Sequence, residues 1–331
     1  MISQNDKRKL SAARLSLIVG AMLTGAKFLA WRLTGSSAVL SDAAESIINV
    51  FAAAFAYFAI HVSAMPADEN HPYGHGKVEF FSAGFEGALI VGAALVIMAA
   101  AIPALFLPPE ISEIGLGMAI TGLAAVVNAV LGLYLIRVGK ESRSLAIEAD
   151  GVHLITDVVT SAGVIVSLLA VQFTGLNIID PIIAILLGAN ILVSGYKLVR
   201  SSVGQLLDEA DEEVLGEIVE TLNKTRQPGD LQPHQLRARR AGSRLSIDFH
   251  LFLPRFWELT QVHQRIDDYE DALKEAIHDD LEAIIHVDPC LPRHCSSCNL
   301  EGCRLRESDS SKCEVWDADH IRSVGAHPDF E

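Results

Sequence analysis

The first 289 residues contain no cysteine; all five, Cys290, Cys295, Cys298, Cys303 and Cys313, lie in the last 42 of 331 positions. A disulfide framework is therefore excluded for most of the chain. Basic residues are also few, 26 Lys and Arg against 41 Asp and Glu, a formal charge of −15. That balance excludes a nucleic-acid binder and suits a protein that handles cations. Neither His-Glu-x-x-His nor Gly-x-Ser-x-Gly occurs, which removes the commonest signatures of a zinc hydrolase or a serine hydrolase.

Charge is almost missing from the first 205 residues as a net quantity. They hold 12 Lys and Arg against 14 Asp and Glu, whereas residues 206–331 hold 14 against 27. The first part consists of long apolar runs, and mean hydropathy over the whole chain is still +0.32. Crossing the hydrocarbon core takes about 20 apolar residues. Segments 11–32, 37–62, 80–107, 114–137, 146–173 and 178–200 meet that requirement. Stretches such as ALIVGAALVIMAAAIPALFL have no polar face for water, so buried helices of a soluble protein are a poor alternative. Basic residues gather at the N-terminus (Lys7, Arg8, Lys9, Arg14), at Lys77, at Arg137, Lys140 and Arg143, and at Lys197 and Arg200. By the positive-inside rule both termini are cytoplasmic. The first apolar segment lacks a small-residue cleavage site and reads as a retained span.

Two of these spans carry the same polar pattern. SAVLSDAAESIIN (37–49) places Asp42, Glu45 and Asn49, and LAIEADGVHLITD (145–157) places Asp150, His153 and Asp157. Positions i, i+3 and i+7 share one stripe of a helix. Ionisable residues inside a membrane mark function by default, and matched polar interruptions in two spans point to a transporter's site. Glu45, Asn49, His153 and Asp157 are four candidate ligands for a divalent cation. Asp42 and Asp150, one turn earlier, either orient the ligands or cap their helices. Glu86 and Asn128 read as interhelical packing groups.

A second cluster, Asp68, His71 and His75, falls in PADENHPYGHGK, where Pro72 and Gly74 favour a loop over a helix. Carboxylate plus imidazole suits a borderline divalent ion. From Asp208 the pattern becomes that of a soluble domain. An amphipathic helix spans 211–225, a hairpin 233–253, a second helix 260–279, and AIIHVDP a strand. The order α-β-β-α-β predicts a small open-faced α+β sandwich. His234 and His250 lie symmetrically about Gly242, so a hairpin centred there pairs them, and a one-residue slip breaks the pairing. His286 and Asp288 share a strand face, and His263 sits near the start of the second helix. These five residues are candidate ligands of a soluble-domain metal site. His278 and His320 read as surface histidines. In the tail, Cys295-x-x-Cys298 has the spacing of a zinc half-site. Cys290, Cys303 and Cys313 extend it without completing a known pattern, and a structural zinc knuckle and a metal-scavenging tail both fit.

The repeated Asp-x-x-ligand-x-x-x-ligand helices, His153-x-x-x-Asp157, the HPYGHGK loop and the IHVDP strand together resemble the cation diffusion facilitator family, and its ferrous-iron and zinc efflux branch in particular. The resemblance spans about residues 10–290. It implies six transmembrane helices (1–205), a cytoplasmic metal-binding α+β domain (206–289) and, outside the family pattern, a Cys-rich tail (290–331). It further implies a homodimer in a bacterial inner or plasma membrane that exports divalent metal in exchange for protons and is not an enzyme. The implied metals are zinc, iron(II), manganese or cobalt, serving as substrate and as bound regulators. Family members usually carry Asp or His where this chain has Glu45, and Asp where it has Asn49. One imidazole with three oxygen donors is a harder set, which favours manganese, iron(II) or cobalt over zinc. Two rivals remain at this level: a membrane-anchored metal sensor and a membrane metalloenzyme.

Overall fold

The computed structural model of the chain describes residues 4–34, 37–106, 116–176, 178–277, 280–309 and 315–322. Cys313 and His278 fall outside them, as do the side chains of Asp42, Glu45 and His320. The chain divides into two compact units, 1–207 and 208–331.

The first unit is six long helices: α1 (Gln4–Thr34), α2 (Ser37–Ser63), α3 (Val78–Ala104), α4 (Leu116–Glu141), α5 (Leu145–Thr174) and α6 (Ile179–Leu206). Each contains a stretch long and apolar enough to cross a membrane. Phe51, Phe58, Val96, Val130, Phe173 and Leu186 project outward from the bundle, where water would penalise them and lipid does not. α1 packs along α2, α3 along α6 and α4 along α5. The α4–α5 seam is close because Gly151 faces it. A Cβ there would lie 2.7 Å from the Ile136 nitrogen and 2.8 Å from the Gly132 oxygen. Small residues at such a seam let backbones approach, and here the approach fixes the part of α5 that carries Asp150 and His153. α5 ends where Gly175 takes a left-handed conformation, φ 71°, and its N–H bonds the Val171 carbonyl.

Lys9, one of the N-terminal basic residues, is held inside the bundle: its side chain is 1% exposed and its Nζ lies 3.0 Å from Glu79 Oε1, on a side chain that is also 1% exposed. Ser63 Oγ donates to Glu79 Oε1 at 2.8 Å, and Ser144 Oγ donates to Oε2. One carboxylate on α3 thus joins α1, the end of α2 and the start of α5. A buried ion pair is tolerable only with its remaining oxygen sites satisfied in this way.

The second unit follows the predicted order. α7 (Glu212–Thr225) starts at Asp211, whose carboxylate accepts the Glu213 and Val214 N–H groups. β1 (Pro233–Ala241), β2 (Arg244–Leu253), α8 (Leu259–Ala276) and β3 (Asp280–Pro289) complete it. The sheet order is β1-β2-β3, with β1 antiparallel to β2 and β3 parallel to β2. The parallel pair requires a crossover, which α8 supplies. Leu245, Ile247, Phe249 and Leu251 of β2 are buried with Ile218 and Leu222 of α7 and Tyr269 and Leu273 of α8 in one core. Alternation then sends His250 and Phe252 to the other sheet face. Trp316 and Ile321, from the predicted tail, are buried in the same core. Asn223 clasps the Trp316 backbone through two hydrogen bonds of 2.8 and 3.0 Å.

Candidate metal sites

In the helical unit, α2 and α5 bring Asn49 and Asp157 together: Asn49 Nδ2 donates to Asp157 Oδ2 at 2.8 Å. His153, one turn before Asp157 on α5, is 8% exposed, and neither ring nitrogen has a hydrogen-bond partner among the described residues. A buried imidazole without partners is costly and rare. Asp150 is buried and accepts a hydrogen bond from Ser16 of α1, within electrostatic reach of His153 and Asp157. It does not cap α5, whose N-cap is Ser144. Asp42 lies five residues inside α2 and is not its cap either. The Glu45 side chain lies outside the described residues, so three of the four predicted ligands are placed. Glu86 of α3 is fully buried with both oxygens unpartnered among the described residues. Asn128 is half-buried on α4.

The loop between α2 and α3 forms the second cluster. Asp68 Oδ1 lies 3.0 Å from His71 Nδ1, and Asp68 Oδ2 lies 3.4 Å from His75 Nε2. One ligand atom from each of the three residues lies within 4.8 Å of the others. The loop is preformed because Asp68 Oδ1 also accepts the Asn70 and His71 N–H groups at 2.9 and 2.7 Å, and Gly74 turns the chain at φ 79°. The His71 backbone N–H, aided by its imidazole, holds the Asp68 carboxyl below the usual range. Its contribution to the turn is thus complete above the ordinary aspartate value of about 4 and is lost as pH falls through the lowered one.

The third cluster lies on the helix-free face of the sheet. A two-residue turn pairs Ala241 with Arg244 and Arg237 with Asp248. Continued regularly, that register would set His234 opposite Leu251. A β-bulge between His234 and Arg237, where Gln235 takes φ 53°, shifts it by one and pairs His234 with His250. His250 in turn pairs with His286 on β3. His250 Nδ1 lies 3.0 Å and His234 Nε2 3.6 Å from Asp288 Oδ2. His234, His250 and Asp288 converge within 4.8 Å. His286 is exposed beside them, 3.6 Å from Asp288. His263 is not brought to this group; it lies exposed on α8, 3.9 Å from Asp267. His234 stacks on Phe252 at 4.7 Å, a support that alternation alone does not reveal.

Residues 13–207 match the cation efflux transmembrane domain, and residues 210–290 match the cytoplasmic domain of cation efflux proteins. An uncharacterised transporter of Synechocystis is 37% identical over 79% of this chain and 85% of its own length. The cation-efflux pumps FieF of Serratia proteamaculans and Shewanella oneidensis are 30% and 31% identical, over 85% and 87% of this chain and 92% and 96% of theirs.

Proposed function

Because the chain belongs to the cation diffusion facilitator family of cation-efflux transporters, a multi-pass membrane protein and not an enzyme, we propose that it exports a divalent metal from the cytoplasm through a site between α2 and α5, in exchange for protons. The observation that carries this reading is His153, buried one turn from Asp157 with both ring nitrogens unpartnered among the described residues. A metal ion arriving there satisfies an imidazole lone pair that those residues leave open. Glu45 and Asp157 supply the charge that offsets dehydration of the cation, and a bare divalent ion in low dielectric is otherwise prohibitively costly. Ligands bind metal only when deprotonated, so a proton and a metal compete for His153 and the carboxylates. Protonation from the far side then releases the metal as the helices rock between inward and outward openings. Both termini and the second unit lie in the cytoplasm, and the protein works as a homodimer.

The Asp68–His71–His75 loop and the His234–His250–Asp288 face bind further metal that modulates transport or holds the dimer. Oxygen-rich donors in the α2–α5 site favour manganese, iron(II) or cobalt. The test uses sealed vesicles containing only this protein, with metal- and pH-sensitive dyes inside. Metal entry should collapse an imposed pH gradient, and metal entry with no pH response would overturn the antiport.

Three variants refine this reading. In the double variant His234→Ala/His250→Ala, tightly held metal should fall by one ion per chain by elemental analysis, while His263→Ala should leave it unchanged. Equal counts in all three proteins would remove the sheet-face site. Asn49→Asp places a second carboxylate beside Asp157. Divalent binding should tighten by roughly 1 kcal/mol or more, about fivefold, and flux should depend more steeply on pH. Unchanged affinity and pH profile would make Asn49 a support of Asp157 instead of a ligand.

A further inference from the structure

We propose that Cys290, Cys295, Cys298 and Cys303 together form a tetrathiolate site for one structural zinc ion. The segment lies past residue 290, where the match to the family's cytoplasmic domain stops, and it uses none of the residues of the three clusters above. The intervals between successive cysteines are four, two and four residues, each within the usual spacing of paired zinc thiolates. All four are half-buried free thiols that line one pocket after β3.

The backbone is wound around that pocket. Arg306 donates to the carbonyls of Cys295, Cys298 and Leu300 at 3.1, 3.1 and 2.8 Å, gathering the turn at a single guanidinium. The Arg255 N–H points at Cys290 Sγ at 3.4 Å, and the Glu307 N–H points at Cys295 Sγ at 3.5 Å. Arg255 and Arg306 also line the pocket, beside Leu231, Phe256, Leu291 and Leu305. The apolar side chains limit access of water. His294 is committed elsewhere: its Nδ1 accepts the Leu291 N–H at 3.1 Å, and its ring packs on Phe252 at 4.2 Å. Four thiolates leave no open coordination position, which is the mark of a structural zinc.

Among the described residues the thiols are not drawn within 4.8 Å of one another in threes. Tetrahedral bonds of about 2.3 Å set sulfurs about 3.8 Å apart. Zinc therefore tightens the loop, and with it the link from Asn299 Oδ1 to the Gly229 N–H, 3.2 Å.

The test uses the full-length protein purified under reducing conditions, with cobalt(II) as probe. Wild type should show the thiolate-to-cobalt charge-transfer band and intense visible bands of a tetrahedral thiolate site. Cys295→Ser/Cys298→Ser should lose them, and His234→Ala/His250→Ala should keep them. After dialysis against a mild chelator, wild type should retain one more zinc per chain than the double serine variant. Should that variant fold poorly, Cys303→Ser and the melting shift of stripped wild type on adding zinc provide the same readout. Absence of a cobalt–thiolate band in wild type, iron with acid-labile sulfide, or a mass showing disulfides among these cysteines would each overturn the proposal.

Discussion

Asp157→Ala is expected to reduce saturable metal flux by about 100-fold or more while the helical fold persists. Even residues that only orient a metal ligand cost 10–100-fold when removed. Asp157 is placed to do more, since it combines a carboxylate with a hydrogen bond from Asn49 and stands one turn from His153. Alanine removes one of the two negative charges proposed to offset the cation's dehydration, and nothing else in the predicted ligand set replaces it. Glu45→Ala should cause the same loss if both helices share one ion. Flux would be measured in vesicles with a metal-sensitive dye, and circular dichroism would confirm the fold. Wild-type flux from Asp157→Ala would refute the α2–α5 site outright.

The second large effect concerns stability. Asp230→Ala should destabilise the 208–331 unit by about 3–5 kcal/mol, the usual cost of stranding one partner of a buried ion pair. Arg265 Nε reaches both Asp230 oxygens at 3.1 and 2.9 Å, and the two side chains are 4% and 0% exposed. Tyr269 donates to Asp230 at 2.8 Å, Gln227 N–H does so at 2.7 Å, and the guanidinium stacks over the Tyr269 ring at 4.2 Å. Burial, and then the Asp230 carboxylate, push the Tyr269 phenol upward, so it remains a donor at any ordinary alkaline pH. Chemical denaturation monitored on the soluble unit would show the loss. Asp230→Leu/Arg265→Met should be less destabilised than Asp230→Ala, because no charge is left unpaired. A change under about 1 kcal/mol in Asp230→Ala would show that water reaches Arg265.

The apolar spans were legible because a run without a polar face has only one comfortable solvent. The pairing of His234 with His250 was legible from their symmetry about Gly242, but the means was not. The turn has two residues, and only the bulge at Gln235–Leu236 restores the symmetric pairing. No sequence rule announced that bulge. Lys9 was visible in the sequence only as one of the basic residues gathered at the N-terminus. Its partner Glu79 lies 70 residues away, a separation that no local periodicity spans. His263 shared its residue type with the candidate sheet-face ligands and lay near the start of a helix, yet α8 carries it away from the face where Asp288 stands. Asp230 gave no pattern at all, since a lone aspartate in a Pro-Gly turn is ordinarily a surface residue.

The Glu79 junction has a mechanical consequence. It grips α2 at Ser63 and α5 at Ser144. From Ser63 back to Asn49, and from Ser144 on to Asp157, each helix runs about 20 Å at 1.5 Å per residue. The junction is thus a fulcrum with two lever arms of nearly equal length, and the proposed ligands Asn49 and Asp157 sit at their tips. A relative tilt of about 10° would part those tips by about 3.5 Å, more than a metal–ligand bond of about 2.0–2.6 Å. In the proposed transport cycle, small angular play at one end of the bundle would thereby be geared into complete loss of coordination, and loosening the fulcrum would blunt that gearing without touching a proposed ligand.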